Sequence, residues 1–419
     1  MEIYDAPLFP LRTVILGAFV PTFLFSSGVG ALIPIIPTRA TTLGASLATA
    51  GLITALLAVG TIVADLPAGS LASRIGDSRA MIVAGVVAAG AFAAAALIPH
   101  IVALSIAALV LGGAGAIFGL ARHSYLTEVT PPLRRARVLS TLGGVHRVGN
   151  FVGPFVGAFL VARWPLESAM WLGVVVSLAA AVTVLIAGTD DETTRAIEQP
   201  HLAARQGDAP AVTVTLRSVV REHLPLFATL GMCCLLVGAV RGARDTVLPL
   251  WGEHLGLDAH VISLVFGIAG AFDLLLFYPA GKMMDKRGRN WIAIPSMVVM
   301  GVALLLIPFT HAVPTFAAAA IVLGIGNGIG SGVLMTLGAD ASPAHGRPQF
   351  LSLWRLMQDT GSALGPLILS AGAALGSLAA GIWTAGLLSP TAAVALARFV
   401  PRWTVHANRT TRRQAGIEV

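Results

Sequence analysis

Long apolar segments alternate with short polar ones along most of the chain. Residues 13–38 carry no charged side chain, and residues 80–121 contain only His100 as an ionisable group, near a predicted turn. Because about 20 apolar residues cross the hydrocarbon core of a bilayer, such segments predict membrane-spanning helices. With Pro, Gly and charge clusters as boundaries, the pattern predicts helices at residues 13–37, 47–68, 80–99, 102–126, 138–163, 167–188, 223–250, 259–280, 291–311, 314–338, 349–375 and 376–398.

A polar segment separates the first six predicted helices from the last six. Residues 189–222 contain an acidic cluster followed by scattered arginines, a composition typical of a solvated linker. We therefore predict an N-terminal six-helix bundle at residues 1–188, a cytoplasmic linker at 189–222, a C-terminal six-helix bundle at 223–398 and a cytoplasmic tail at 399–419.

The composition excludes a water-soluble globular protein. Only 11% of the residues are charged and the mean hydropathy is +0.84, which leaves too little polar surface for a protein that faces water on all sides. The net charge of +7 does not indicate nucleic-acid binding, because the basic residues lie in short clusters between apolar segments. Cys233 and Cys234 are adjacent in one apolar segment, so they offer neither a disulfide framework nor metal-ligand spacing. No metal, cofactor or nucleic-acid partner is expected.

The positive charges also predict an orientation in the membrane. Alternating the loops between the two sides places 20 of the 27 Lys and Arg residues with the N-terminus, the linker and the tail, and only Arg39 and Arg163 on the other side. Because basic loops stay in the cytoplasm, both termini are expected there, with the chain in the cell (inner or plasma) membrane. Arginine outnumbers lysine 25 to 2, which favours a bacterial origin with a GC-rich genome.

The two halves of the chain are related by an internal repeat. A shift of 212 residues without a gap aligns helix after helix, including proline and arginine positions that a biased composition does not easily match by chance. The matches include Gly30, Ala31 and Pro37 with Gly242, Ala243 and Pro249, and Pro131 and Arg135 with Pro343 and Arg347. A parallel repeat of this kind is typical of transporters that rock two halves about a central site.

A loop signature follows the eighth predicted helix. Gly281, Asp285, Gly288 and Arg289 are spaced as in G-x-x-x-D-R/K-x-G-R, and the segment resembles the cytoplasmic loop signature of the major facilitator superfamily. The resemblance implies an all-α membrane protein with 12 transmembrane helices in two pseudo-twofold-related six-helix bundles. It also implies transport of a small-molecule substrate across the lipid bilayer by alternating access.

The first-half copy of the signature is incomplete. It retains Gly69, Arg74 and Gly76, but Ser73 stands where the superfamily has Asp. Asp65, one helical turn before Gly69, is a candidate replacement for that charge.

A second paired element extends the predicted cytoplasmic gate. Glu128-x-x-Pro131-x-x-x-Arg135 and Asp340-x-x-Pro343-x-x-x-Arg347 are similar to the acidic-Pro-Arg pattern that the superfamily carries where its fourth and tenth helices enter the cytoplasm. The alternative interpretation is a set of ordinary interfacial charges at helix ends. The predicted gate residues are Asp65, Gly69, Arg74, Gly76, Glu128, Arg135, Gly281, Asp285, Gly288, Arg289, Asp340 and Arg347.

The fifth predicted helix carries a glycine-proline motif. Its members, Gly149, Gly153, Pro154 and Gly157, resemble the signature of the superfamily's twelve-helix drug:proton antiporters. A plain helix-packing motif would have the same sequence, because small residues four apart let helices approach closely. Leu109 stands where those antiporters place an arginine, so proton coupling by their usual residue is not supported.

Nine charged residues fall inside the predicted spans, where burial of a charge favours a partner or a cavity. They are Arg122, Arg147, Arg241, Arg244, Arg355, Asp65, Asp245, Asp273 and Asp359. Matching depths lead to the hypothesis that Arg147 pairs with Asp273 and Asp65 with Arg355, closing the cytoplasmic side while the outer side is open. Asp359 can instead hold Arg355 within its own helix, four residues away.

The remaining polar candidates lie in the fifth and seventh helices. Arg241 and Asp245 are neighbours at i and i+4, which leaves Arg244 as the first candidate for contact with an anionic group of a substrate; the alternatives are an unidentified acid or the outer interface. His146, beside Arg147, can couple protonation to conformation, since histidine titrates near pH 6.5. It can equally be a buried, neutral, hydrogen-bonded side chain.

The leading functional prediction is a secondary active transporter, not an enzyme, that exports a small organic molecule in exchange for protons or another coupling ion. Uptake of a small metabolite by symport is the near alternative, and a non-transporting membrane sensor is a third. No H-E-x-x-H, G-x-S-x-G or phosphate-binding loop motif is present to suggest a membrane enzyme or an ATP-driven pump. A monomer is expected.

Overall fold

Every element of secondary structure is helical in the part of the chain that the structure describes. The structure is a computed structural model and describes residues 14–130, 132–188, 216–343 and 347–416. The long helices are α1 Ile15–Thr42, α2 Leu47–Ile75, α3 Asp77–Leu97, α4 Ile101–Val129, α5 Pro132–Val161, α6 Ser168–Gly188, α7 Leu224–His254, α8 Ala259–Arg287, α9 Asn290–Phe309, α10 Val313–Ala341, α11 Arg347–Ala374 and α12 Leu378–Trp403.

These twelve helices make the chain an all-α, multi-pass membrane protein. Among the described residues, 10 of them are long and apolar enough to cross a membrane by length and composition. The other two, α5 and α11, have 30 and 28 residues, and the intramembrane charges Arg147, Arg355 and Asp359 make them more polar. At 1.5 Å per residue both exceed the ~30 Å hydrocarbon core.

The 212-residue offset is visible in the helix bounds themselves. A π-helical turn at Ile15–Phe19 opens α1, and its counterpart at Phe227–Gly231 lies in α7. Helices α2 and α8 begin and end at equivalent positions, and each is followed by a glycine with positive φ, Gly76 at 87° and Gly288 at 100°. The repeat predicted from the sequence therefore extends to irregular backbone features.

The chain folds into two compact units whose limits differ from the predicted bundles. Of the described residues, unit 1 comprises those within 1–32 and 60–212, and unit 2 comprises those within 33–59 and 213–419. The prediction placed the whole of 1–188 in the first bundle. Of these residues, 33–59 pack in unit 2, where Thr38 and Thr41 each donate a hydroxyl hydrogen bond to the Glu253 carboxylate, at 2.7 and 2.6 Å.

Several helices run further than the prolines in the sequence suggested. Helices α2 and α8 continue through Pro67 and Pro279 to Ile75 and Arg287, instead of ending at 68 and 280. A proline removes one backbone hydrogen bond, and neighbouring helices and local backbone adjustments make that tolerable in a membrane. The last helix ends at Trp403 rather than 398, and a short helix, Arg409–Gln414, follows within the predicted tail. A further short helix, Leu216–Glu222, lies in the predicted linker, of which residues 189–215 are outside the described ranges.

Candidate functional site

The loop signature of the second half is a turn stabilised by ion pairs. Helix α8 ends at Arg287, Gly288 makes the turn, and α9 begins at Asn290. Arg289 donates from Nε to Asp340 Oδ2 at 2.9 Å and from Nη1 to Asp285 Oδ1 at 3.2 Å. The Asp340 pair is largely buried, while Asp285 is 77% exposed, so Asp340 is the stronger anchor.

The C-terminal tail is docked onto this loop. Backbone N–H groups of Arg289 and Asn290 donate to the carbonyls of His406 and Ala407, both at 3.0 Å. From the short terminal helix, the buried Arg412 donates from Nη1 to the Asp285 carbonyl at 2.7 Å, close to the end of α8. A cation at a helix C-terminus complements the unpaired carbonyls and the helix dipole. The predicted free tail is therefore partly structural.

The remaining predicted gate residues are less completely described. In the first half, Arg74 is exposed and Gly76 makes the same turn as Gly288. Asp65 lies within α2, four residues before Gly69, and it interacts with other residues of the chain. Arg347 is an exposed residue at the start of α11. The side chains of Ser73, Glu128 and Arg135 lie outside the described residues, as does Pro131.

The glycine-proline motif packs α5 against α1. A Cβ at Gly153 would lie 2.7 Å from the Ala31 amide nitrogen and would meet the Ser27 carbonyl, and a Cβ at Gly149 would lie 2.7 Å from the Phe23 carbonyl. Gly157 faces Ala31 in the same way, and Pro154 lies inside the helix.

The same close approach recurs between α7 and α11. Gly361 and Gly365, the 212-shifted equivalents of Gly149 and Gly153, would bring a Cβ against the carbonyls of Leu235 and Ala239. Pro366 follows Gly365 as Pro154 follows Gly153, but the two glycines were not among the positions predicted from the sequence. A motif present in both halves at the same helix pair supports the helix-packing interpretation.

Helix α10 is broken where α4, its counterpart, is continuous. The helical segment Val313–Ile329 ends at Gly330, Gly332 adopts a left-handed φ of 82°, and the helix resumes at Val333. Arg241 of α7 donates from Nη2 to the Gly330 carbonyl. One predicted substrate candidate thus caps the C-terminal end of a broken helix.

The first half fills the corresponding positions with apolar groups. The equivalent of Gly330 is Phe118, whose ring stacks on Phe25 with centroids 4.5 Å apart. The equivalent of Arg241 is Val29. The asymmetry between the halves therefore extends from the sequence of α7 to the shape of α10.

Arg244 has a local partner, contrary to the sequence-based expectation. It donates from Nη1 to Oδ1 of the adjacent Asp245 at 2.6 Å, and its guanidinium lies 5.4 Å from the centre of the Phe266 ring. The long arginine side chain bends back to the adjacent residue. The sequence-based expectation considered only residues three or four positions apart on the helix, which excludes this pair. The arginine side chain is 8% exposed and the aspartate 51%, so the accessible member of the pair is the acid.

Two further acids are held within unit 2. Asp273 of α8 accepts a hydrogen bond from Asn327 Nδ2 at 2.8 Å. In α11, Arg355 Nε lies 3.5 Å from Asp359 Oδ2, as in the alternative in which Asp359 holds Arg355 within its own helix. The hypothetical pairs Arg147–Asp273 and Asp65–Arg355 each join a residue of unit 1 to a residue of unit 2 and stay predictions.

His146 is part of a hydrogen-bonded chain in unit 1. Its Nδ1 lies 2.6 Å from Ser26 Oγ, and its Nε2 lies 3.2 Å from Asn150 Nδ2. With the amide nitrogen of Asn150 facing Nε2, that ring nitrogen accepts and Nδ1 carries the proton donated to Ser26. Both ring nitrogens of a neutral imidazole are satisfied. This arrangement favours the structural interpretation of His146 over proton coupling.

The family model of the Major Facilitator Superfamily matches residues 18–243 and again residues 230–416. The chain belongs to the major facilitator superfamily. The two matches together cover nearly the whole chain and overlap at the repeat boundary, as two related halves require.

Bacterial transporters are among the relatives of this superfamily member. It is 25% identical over 301 residues to the multidrug resistance protein MdtH of Klebsiella pneumoniae (strain 342), which covers 71% of this chain and 70% of that protein. It is 22% identical over 303 residues to the MFS-type transporter YhjO of Bacillus subtilis (strain 168), which covers 72% of each.

Solved structures of the superfamily share the fold. A POT family transporter in complex with 5-aminolevulinic acid aligns with a TM-score of 0.74 at 14% identity, covering 94% of this chain and 97% of that one. A D-xylose-proton symporter aligns with a TM-score of 0.69 at 15% identity, covering 95% and 98%. At these identities the likeness shows the fold alone.

Membership of the superfamily confirms the prediction of a small-molecule transporter rather than an enzyme. In the described part of the chain, no group of three or more His, Cys, Asp or Glu residues is arranged to hold a metal ion.

Proposed function

We propose that this superfamily member exports a small organic molecule from the cell in exchange for protons. The single observation that carries the proposal is the ion pair of Arg244 and Asp245 in α7, with its half-exposed carboxylate at 2.6 Å from a buried guanidinium. The likeness to a protein named for multidrug resistance supports the export direction.

The geometry of the pair provides a coupling mechanism. The exposed Asp245 carboxylate can take up either a proton or a positively charged group of a substrate, but not both. Because the proton and the substrate compete for one acid, binding of a proton displaces the substrate and binding of the substrate displaces the proton. Such competition couples proton entry to substrate exit, as antiport requires. The hydrogen bond from Arg244 Nη1 holds the carboxylate in place when neither ligand is bound. Protons are thus the proposed coupling ion.

The decisive experiment uses inverted membrane vesicles with an imposed pH gradient, acid inside, and ethidium as the transported cation. Accumulation of ethidium that collapses with the gradient is expected. Asp245→Asn should lower the initial rate at least tenfold, while Arg402→Gln, at an exposed residue near the end of α12, should leave it unchanged. Gradient-dependent transport at the unaltered rate in Asp245→Asn would contradict the coupling role of this acid.

Uptake by symport is the second candidate, and the buried position of Arg244 favours it. A proton on Asp245 would release the Arg244 guanidinium, which could then bind an anionic metabolite, so proton and substrate would bind together. In right-side-out vesicles, acid outside would then drive anion accumulation. An anion gradient that forms under these conditions, without ethidium transport in inverted vesicles, would favour symport over export.

The membrane placement is also part of the proposal. We expect a monomer in a bacterial plasma membrane with both termini in the cytoplasm, on the basis of the basic-residue distribution. A cysteine-reactive, membrane-impermeant reagent directed at an added C-terminal cysteine should label inverted vesicles and not intact cells. The native Cys233 and Cys234 are buried and should not interfere.

A further inference from the structure

One edge of the Arg244 guanidinium has no hydrogen-bond partner among the described residues. Nη1 donates to Asp245, whereas Nε and Nη2 are buried without an acceptor. The residue as a whole is 7% exposed. Nε and Nη2 form the side edge of the guanidinium, the edge that can donate two parallel hydrogen bonds to one carboxylate.

Arg289, in the same unit, binds a carboxylate with this edge of its guanidinium. Its Nε donates to Asp340 Oδ2 at 2.9 Å and its Nη2 to Asp340 Oδ1 at 3.5 Å, so the same two atoms take both oxygens of one acid. Arg244 has the same edge, and no acid of the described chain accepts a hydrogen bond from it, although the Asp273 carboxylate also attracts the guanidinium. A buried donor left unpaired destabilises the protein, more so when it is charged, and a carboxylate on a bound molecule would remove that penalty.

The surroundings of Arg244 restrict the direction from which a ligand can approach. The Phe266 ring lies 5.4 Å from the guanidinium carbon and covers one face. Stacking on a ring leaves the N–H edges of a guanidinium available. Asp245 occupies the Nη1 corner, and its side chain is 51% exposed.

Opposite charges therefore lie side by side on one helical turn. The acid can bind an ammonium group while the arginine edge binds a carboxylate, and the 2.6 Å contact between the two side chains requires that both groups of the ligand be close together. A ligand with only one of these charges, such as the ethidium cation, would bind more weakly than a zwitterion, because one member of the pair would stay unmatched and desolvated.

We infer that Arg244 and Asp245 together bind a small zwitterion that carries an ammonium and a carboxylate on neighbouring atoms, as amino acids do. This inference rests on the proposed function and names its substrate class. The ammonium group of the substrate and the transported proton compete for Asp245, so zwitterion export in exchange for protons follows from the same geometry. In the first half the equivalent positions are Leu32 and Ile33, so the chain has one such site in its two-fold repeat.

Three probes that share one phenylethyl skeleton show which charged groups the site requires. L-Phenylalanine carries both groups, phenethylamine only the ammonium, and 3-phenylpropanoate only the carboxylate. Binding is measured on the purified full chain as ligand-induced thermal stabilisation, with a thiol-reactive dye that reports exposure of the buried Cys233 and Cys234 on unfolding. Transport is measured in proteoliposomes with a pH gradient, with ethidium as a second substrate.

Stabilisation and gradient-driven flux are expected with L-phenylalanine, and at least tenfold weaker apparent affinity for the two single-charge probes. Arg244→Lys keeps the positive charge but loses the two-donor edge, and should weaken L-phenylalanine binding tenfold to a hundredfold on the scale of a lost charge-assisted hydrogen bond. Arg402→Gln serves as the matched control, with unchanged binding and flux.

The outcomes distinguish the inference from the proposed function. Gradient-driven ethidium flux with no preference for L-phenylalanine, or with Arg244→Lys binding it as tightly as the unaltered protein, would overturn the zwitterion site and leave proton-coupled export standing. Stabilisation by L-phenylalanine that depends on Arg244, without gradient-driven flux of any probe, would support the site and contradict proton coupling. Arg244→Gln, with its own melting temperature recorded, separates a lost site from a chain that does not fold.

Discussion

Arg289 and Asp340 are joined by a charge-assisted hydrogen bond of 2.9 Å between Nε and Oδ2. The bond connects the loop between α8 and α9 to the C-terminal end of α10, and Thr404 adds a contact to the same carboxylate at 3.3 Å. The loop signature and the acidic-Pro-Arg element, recognised separately in the sequence, therefore form one network in the second half.

The two acids on Arg289 should contribute unequally to stability. Asp340→Asn removes a largely buried charge partner and should lower the free energy of unfolding by about 1–3 kcal/mol. Asp285→Asn removes an acid that is 77% exposed and should cost less than about 1 kcal/mol. Thermal unfolding in detergent, followed by dye labelling of the buried cysteines, measures both. Equal losses for the two variants would contradict the assignment of Asp340 as the anchor.

Addition of a single methyl group at Gly153 should disrupt the close packing of α5 against α1. Gly153→Ala would place Cβ against backbone atoms of Ser27 and Ala31, which cannot move independently of α1, and should cost about 1–3 kcal/mol. Gly143→Ala, in the same helix with nothing within 4 Å, should be neutral or slightly stabilising. If both variants melted at the same temperature, tight α1–α5 packing at this position would be refuted.

The docked tail should be sensitive to Gly288 for a reason separate from backbone strain. Gly288→Ala places Cβ 2.6 Å from the Ala407 carbonyl as well as straining a φ of 100°, whereas Gly76→Ala strains a φ of 87° with nothing within 4 Å. Limited proteolysis should release the C-terminal segment faster in Gly288→Ala than in Gly76→Ala. Arg412→Ala should give the same faster release, because it removes the hydrogen bond to the Asp285 carbonyl.

The break in α10 should depend on Arg241. Arg241→Met retains the length of the side chain but leaves the Gly330 carbonyl without this donor, and should destabilise the chain by about 1–3 kcal/mol. Hydrogen exchange measured by mass spectrometry should become faster around residues 326–333 and stay unchanged in α4, which has no such break. Uniform acceleration across both helices would indicate global destabilisation instead.

The architecture was predictable because its signals are long and repeated. The prediction rests on signals that extend over the whole chain: twelve apolar segments, the distribution of positive charge and the constant 212-residue offset. An error at one position therefore does not alter the predicted architecture. Helix ends were less predictable, because Pro67 and Pro279 stop helices in water but not here.

The charged residues of the site could be predicted from the sequence, but the groups that each of them contacts could not. Arg241, Arg244 and Asp245 were singled out because charge is costly in a membrane. The partners depend on side-chain direction and on the backbone of another helix: Arg244 bends to its neighbour and Arg241 binds a carbonyl of the broken α10. The glycine-rich run from Gly324 to Gly332 carried the signal for that break, but close helix packing uses the same residues.

The packing of residues 33–59 in unit 2 has a consequence for expression of the protein as two separate fragments. A cut in the linker would leave these residues on the first fragment and Glu253, with its two threonine donors gone, on the second. Ser370 would likewise lose the Ala48 carbonyl that its hydroxyl binds at 2.6 Å. Neither fragment would be a self-sufficient folding unit. Fragment complementation of this transporter should therefore require co-expression, so that residues 33–59 contact their partners in the second half during membrane insertion.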